Sequence, residues 1–154
     1  YSTNYDRSTV PVFVHLLKSH KKPNDLYAMY PRVLFTNYEV SDAELFGSAA
    51  ILNILKAMLL GPTSVGSKST QRSGPKGNAH SWGLRSITPG SLAMAAVVAQ
   101  FIISPDHTFS EKGAITKIDY RDRFKQYKKF IIKTLESPRM KMLMAQLESE
   151  LFQI

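Results

Sequence analysis

Two segments of the chain are so apolar that they must be buried, and they constrain the fold more than any other feature. Residues 45–60 carry apolar side chains at three- and four-residue steps around most of a helical circumference. Residues 92–103 have Gln100 as their only polar side chain. Neither apolar run reaches the roughly 18 residues that a membrane-spanning helix needs. We therefore expect two central helices packed together in the core of an all-α domain.

Signals at the ends of these segments predict the helix boundaries. Ser41 and Glu44 have the spacing of a capping box, which predicts a helix over 42–60. Thr88, followed by a proline, predicts a second helix over 89–103. Because helix bundles favour short connections, the loop of residues 61–87, rich in Gly, Ser and basic residues, stands out between them.

The first forty residues predict two short helices. Pro11 suits the first helical position, and the helix would run to about Ser19 with Val12, Phe13, Leu16 and Leu17 as its apolar face. The sequence Pro23-Asn24-Asp25 ends that helix and can cap a second one, Leu26–Tyr30. The apolar run at 33–35 is too brief for periodicity to distinguish helix from strand.

Two amphipathic helices are predicted after residue 118. Asp119 is placed to cap a helix from Tyr120 to about Glu136, with an apolar stripe of Tyr120, Phe124, Tyr127, Ile131 and Leu135. Ser137 caps the last helix, whose stripe is Met140, Leu143, Met144, Leu147 and Leu151. A stripe of this length usually belongs to the core. The alternative is a homodimer seam or a protein–protein scaffold.

The chain as a whole, residues 1–154, predicts one helical bundle of five or six helices, with residues 1–8 flexible and 61–87 as a long loop. At this length a core can form without disulfides. The absence of cysteine excludes disulfides, thiolate metal sites and a cysteine nucleophile. We expect an intracellular protein, cytoplasmic or nuclear, that does not contact membranes.

The net charge of +8 is concentrated in residues 117–141, which hold nine Lys/Arg and three acidic residues. Within the predicted helix 120–136, one sector carries Arg121, Lys125, Lys128 and Lys129, and the long loop adds Lys68, Arg72 and Lys76. Such a face can neutralise phosphates. The leading hypothesis is a non-enzymatic module that binds nucleic acid or an acidic protein; the alternative is an ordinary solvated face. The sequence contains no helix-turn-helix or zinc-finger signature, so sequence-specific recognition of bases is not expected.

The competing hypothesis is a small enzyme or ligand-binding protein with a site under the long loop. His80, Arg85, Asp106 and His107 would lie at its mouth, and a histidine titrates near neutrality. However, His80 has no visible catalytic partner, and Asp106, His107 and Glu111 match the spacing of no closed metal site. The sequence therefore assigns no catalytic residue, metal or cofactor.

Short sequence blocks between Tyr30 and Phe130 resemble an uncharacterised helical domain family found in many copies in mushroom-forming fungi. The matching blocks are Leu34-Phe35, Asn37-Tyr38-Glu39, Leu45-Phe46-Gly47, Gly61-Pro62-Thr63-Ser64, Arg72-Ser73-Gly74, Gly77-Asn78-Ala79-His80, Gly83-Leu84-Arg85, Ile87-Thr88-Pro89, Ala93 to Phe101 and Ser104-Pro105-Asp106. The resemblance implies a fungal, mostly helical, intracellular protein. It implies no reaction, and no catalytic residues carry over from it.

Overall fold

The fold is all-α, as the sequence predicts. The computed structural model describes residues 7–20, 22–60 and 87–152. Five α-helices lie in these ranges: α1 (Pro11–Leu16), α2 (Ala49–Leu60), α3 (Pro89–Ile103), α4 (Tyr120–Lys133) and α5 (Pro138–Phe152). Short 3₁₀ turns connect the N-terminal part, and strand-like pairing in the described ranges is limited to isolated bridges. None of the described helices combines the length and the apolar character that crossing a membrane requires.

Helix α3 is the centre of the core, because it packs against both α2 and α4, while α5 packs against α2. Alanines at positions 93, 95, 96 and 99 are all buried in α3. These small side chains let the neighbouring helices approach closely. The predicted pairing of the two apolar helices is confirmed.

Three of the predicted helix starts are also confirmed, each by a hydrogen bond. Thr88 and Ser91 form a reciprocal capping box at the start of α3, with a distance of 3.0 Å from Ser91 N to Thr88 Oγ1. Asp119 Oδ1 accepts from the backbone N–H of Asp122 at 2.9 Å, which caps α4. Ser137 Oγ accepts from Met140 N at 3.1 Å and caps α5. Short-range side-chain chemistry therefore fixes these ends.

The predicted start of α2 at residue 42 is wrong, since the helix begins at Ala49. Ser41 makes no capping bond, and Ser48 Oγ accepts from Ile51 N instead, at 3.2 Å. The cause is Phe46, whose φ of 66° lies in the left-handed region and breaks the helical path. This conformation directs the fully buried ring of Phe46 against Tyr127 of α4.

The predicted helix at 26–30 does not form either, and α1 ends at Leu16 instead of about Ser19. A 3₁₀ turn occupies Pro23–Asp25, and Tyr27 has a φ of 64° that excludes a helix there. Val12, expected on the apolar face of α1, is 58% exposed, whereas Leu17 is buried. The backbone oxygens of Tyr27, Ala28 and Met29 accept hydrogen bonds from side chains of α4.

Candidate nucleic-acid interface

Helix α4 has one buried side and one charged side. Tyr120, Tyr127 and Ile131 are buried against the core, so these members of the predicted stripe are confirmed. Phe124 and Leu135 are only half-buried. Arg123, one of the nine Lys/Arg of residues 117–141, is also buried, at 7% exposure.

The charged side consists of five exposed cations, which we call the basic face: Arg121, Lys125, Lys128, Lys129 and Lys133. At about 100° and 1.5 Å per residue, they occupy an arc of about 140° and a length of about 18 Å along α4. Within the same arc lie the exposed apolar side chain of Ile132, at 53% exposure, and the half-buried acidic side chain of Asp122. The structure therefore brings together the four α4 residues expected from the sequence and adds Lys133.

Only one member of the basic face is paired with a carboxylate among the described residues. Arg121 lies 3.0 Å from Glu111 Oε1, and both side chains are exposed, so the pair contributes little to stability. Lys125, Lys129 and Lys133 have no carboxylate within ion-pair distance in residues 7–20, 22–60 and 87–152. The ammonium group of Lys128 lies 5.9 Å from the ring centroid of Phe124, a cation–π contact that leaves its charge in place. Most of the positive charge of the face is therefore available to an external anion.

The rotation of α4 that turns this face outward is fixed by a buried polar network. Gln100 of α3 is fully buried, and its Nε2 donates to Tyr127 OH at 2.7 Å and to Ala96 O at 3.1 Å. Its Oε1 accepts from the guanidinium of Arg123. Burial raises the pKa of Tyr127 to about 12, although the positive charge of Arg123 opposes the shift, so the phenol stays protonated at neutral pH. Because buried polar groups must be hydrogen-bonded, this network specifies a single packing of α4 on α3.

The same network reaches the irregular segment before residue 31. Arg123 donates to the backbone oxygens of Tyr27 and of Ala28, the latter at 2.8 Å, and Tyr127 OH donates to Met29 O. Three successive backbone oxygens of this segment are thus hydrogen-bonded by side chains of α4. The side of α4 opposite the basic face is held by both α3 and the N-terminal segment.

Asp106, one of the residues named for the enzyme alternative, is fully buried and acts within a turn. It accepts from Ile115 N (2.8 Å), Thr116 N (3.0 Å), Thr116 Oγ1 (2.6 Å) and Tyr120 OH (2.7 Å). Burial by itself would raise the pKa of this carboxyl, but the hydrogen bonds from Thr116, Tyr120 and Ile115 outweigh it and lower the pKa below its usual value. The carboxylate stabilises the loop between α3 and α4.

His107 is exposed, while the neighbouring carboxylate of Asp106 is directed into the core, so these two residues do not form a common site. Among the described residues, no three His, Asp or Glu side chains are placed to hold a metal ion. A groove of about 480 Å³ lies elsewhere, between residues 36–52 and α5, and neither Asp106 nor His107 lines it.

The comparison with known protein families gives a match over residues 2–152, to a family described as a family of unknown function (DUF6698). The chain belongs to this family. No curated protein and no solved structure matches the chain. Membership of an uncharacterised family agrees with the expectation of an uncharacterised domain, and the match covers nearly the whole chain.

The remaining predicted site residues lie outside the described residues. These are Lys68, Arg72 and Lys76 of the accessory set, His80 and Arg85 of the enzyme alternative, and the loop 61–86 that holds them. The apolar stripe of α5 is described, and Met140, Leu143, Leu147 and Leu151 are buried within the chain itself. These four side chains serve the core of this domain.

Sequence reasoning missed two features of the interface. Lys133 follows Lys129 by four residues and belongs to the same face, a signal that helical spacing contains. The ion pair between Arg121 and Glu111 joins α4 to the preceding loop, and no helical periodicity indicates a contact of that kind.

Proposed function

We propose that this protein is a non-enzymatic binding module whose basic face contacts the phosphates of a nucleic acid. The observation that supports the proposal is the concentration of five exposed cations on one side of α4, where one carboxylate of the described residues is in contact. Cations on a rigid surface release the counterions condensed on a polyanion, which provides most of the affinity in non-specific binding. An acidic protein is the second partner class that this charge would attract.

The mode of binding follows from the residue types. Four of the five cations are lysines, which act as point charges on flexible stems and place no strict demand on base geometry. Contacts of this type position a protein on a nucleic acid without reading its sequence. We propose a cytoplasmic or nuclear location, where nucleic acids occur, and, from the resemblance in sequence, a fungal source.

The test is charge reversal on the face. Changing Lys125, Lys128 and Lys129 to Glu should abolish binding to a labelled oligonucleotide, measured by fluorescence anisotropy at about 50 mM salt. Circular dichroism should remain that of the unchanged protein, since all three side chains are exposed.

A matched control distinguishes binding through the basic face from a general effect of the protein's net charge. Lys22, Lys117 and Lys141 are exposed and lie outside α4. Changing these three to Glu alters the formal charge by the same amount, from +8 to +2, because each substitution removes two charges. The control should retain most of the affinity. Equal losses in both variants, or no binding by the unchanged protein at low salt, would refute the proposal.

A further inference from the structure

We propose that Glu111 neutralises Arg121, so that the phosphates of a nucleic acid contact the four lysines in the C-terminal part of α4 and not the arginine at its start. This inference rests on the proposed function and narrows the surface that performs it. It follows from the distribution of charge along α4 and from the way the preceding loop holds Glu111 in place.

The charge at the surface changes along the axis of α4. Residues 111–122 contain three cations and three carboxylates, so the formal charge of this stretch is zero. They are Lys112, Lys117 and Arg121, and Glu111, Asp119 and Asp122. Arg123 is buried and does not contribute to the surface, and residues 124–133 contain four exposed lysines and no acidic residue. The net positive charge that attracts a polyanion therefore lies in the C-terminal part of α4.

Glu111 is fixed beside Arg121 by its backbone as well as by the ion pair. Its Oε1 lies 3.0 Å from Arg121 Nη1, and its backbone oxygen accepts from the Arg121 N–H at 3.2 Å. The next residue, Lys112, forms an antiparallel bridge with Asp119. The buried carboxylate of Asp106 holds the turn between them through two backbone N–H groups. The Glu111 backbone therefore has a defined position next to the start of α4.

This position determines what a phosphate at Arg121 would meet. An exposed ion pair is weak, so a phosphate can separate the two side chains. Separation does not remove the carboxylate, because the Glu111 backbone stays hydrogen-bonded to Arg121 and salt at 0.1 M screens charges only over about 10 Å. A phosphate there is attracted by one charge and repelled by another. By contrast, Lys125, Lys129 and Lys133 have no carboxylate of the described residues within ion-pair distance.

The test measures how many cations the nucleic acid engages. The affinity of the full chain for a labelled DNA duplex of about two helical turns is measured by fluorescence anisotropy between about 50 and 200 mM KCl. Each phosphate contact adds about −0.9 to the slope of log K against log salt, so four lysines predict a slope of about −3.6. Glu111→Gln should make Arg121 a fifth contact, with a slope of about −4.5. Relative to 1 M salt, where this contribution vanishes, the added contact should raise the affinity by about 15-fold at 50 mM and about fourfold at 200 mM.

A second variant tests whether this gain passes through Arg121. Changing both Glu111 and Arg121 to Gln removes a neutral pair, so the slope should return to about −3.6 and the affinity to that of the unchanged protein. Glu150→Gln is the matched control, because Glu150 is exposed on α5 and its substitution changes the formal charge by the same amount. This control should leave the slope unchanged.

The outcomes separate this inference from the proposed function. A slope in the double variant that is about 0.9 shallower than in the unchanged protein would show that Arg121 contacts phosphate despite Glu111. That result, an equal or lower affinity of Glu111→Gln, or an equal gain in Glu150→Gln, would overturn the inference and leave the proposed function standing. A lack of binding by the unchanged protein and by all three variants at low salt would overturn both.

Discussion

Gly113 should be the least replaceable glycine among those the structure describes, because Asp106 and its partners fill the space around it. Gly113 is buried in the loop before α4, where its N–H donates to Ile118 O at 2.8 Å. A Cβ at this position would overlap with Asp106 Oδ2 and lie 2.6 Å from Thr116 Oγ1. Neither oxygen can move freely, since each is held in the hydrogen-bonded cluster of the Asp106 carboxylate.

The magnitude follows from these contacts. Overpacking of a close-fitted site costs about 1–3 kcal/mol. Each hydrogen bond to the carboxylate that is lost through the displacement adds about 1.5–3 kcal/mol, because the acceptor is charged. Changing Gly113 to Ala should therefore lower the free energy of unfolding by at least about 2 kcal/mol, which corresponds to a fall in Tm of about 4–8 °C for a domain of this size.

Gly90 provides the matched control, because the same substitution there should have the opposite sign. The nearest atom to a Cβ at Gly90 is Thr88 Oγ1, at 3.9 Å, and the position is helical. Changing Gly90 to Ala should raise the free energy of unfolding by about 0.4–1 kcal/mol. Urea unfolding of the three proteins, followed by circular dichroism, measures both effects. A Gly113→Ala variant within about 0.5 kcal/mol of the unchanged protein, a change typical of surface sites, would refute the reasoning.

Two further predictions concern other close contacts and the buried carboxylate. A Cβ at Gly47 would overlap with Thr36 Oγ1. Gly47→Ala should therefore lower the free energy of unfolding by about 1–3 kcal/mol in the unchanged protein, and by much less in a Thr36→Ala background. Equal losses in the two backgrounds would show that this contact is not responsible. Asp106→Asn should be destabilised by about 1–3 kcal/mol at pH 7, because an amide group presents a donor to the donors that surround it. Since the folded pKa of Asp106 is lowered, its stabilisation is present above the unfolded pKa of about 3.9 and is lost as pH falls through the folded value. Urea unfolding across pH should show that the difference in free energy of unfolding between the unchanged protein and the Asp106→Asn variant narrows below about pH 4. A difference that does not change with pH would contradict this assignment.

The parts of the fold that could be predicted are those set by local chemistry. The caps Thr88, Asp119 and Ser137 each bond a backbone N–H three residues later, so sequence spacing alone contains the information. The basic face could be predicted for the same reason, because helical periodicity places Lys125 and Lys129 on one side.

The parts that could not be predicted depend on distant contacts. Ser41 and Glu44 have good capping chemistry, but Phe46 adopts a left-handed conformation to pack on Tyr127, and this tertiary contact overrides the local signal. Arg123 reads as one more surface cation, and its burial depends on carbonyls that precede it by about a hundred residues. Adjacent Asp106 and His107 also face different environments, one buried and one exposed, and the sequence alone does not indicate this difference.

The burial of Arg123 changes how any survey of positive residues on α4 must be interpreted. Six cations occur in this helix, and they look interchangeable in the sequence. One of them, Arg123, is buried and donates to the backbone oxygen of Ala28 and to the side chain of Gln100. Neutralising it would leave the oxygens of Tyr27 and Ala28 without their donor and would loosen the first third of the molecule. A drop in ligand capture by such a variant would report a damaged scaffold, and only the other five substitutions can report on recognition.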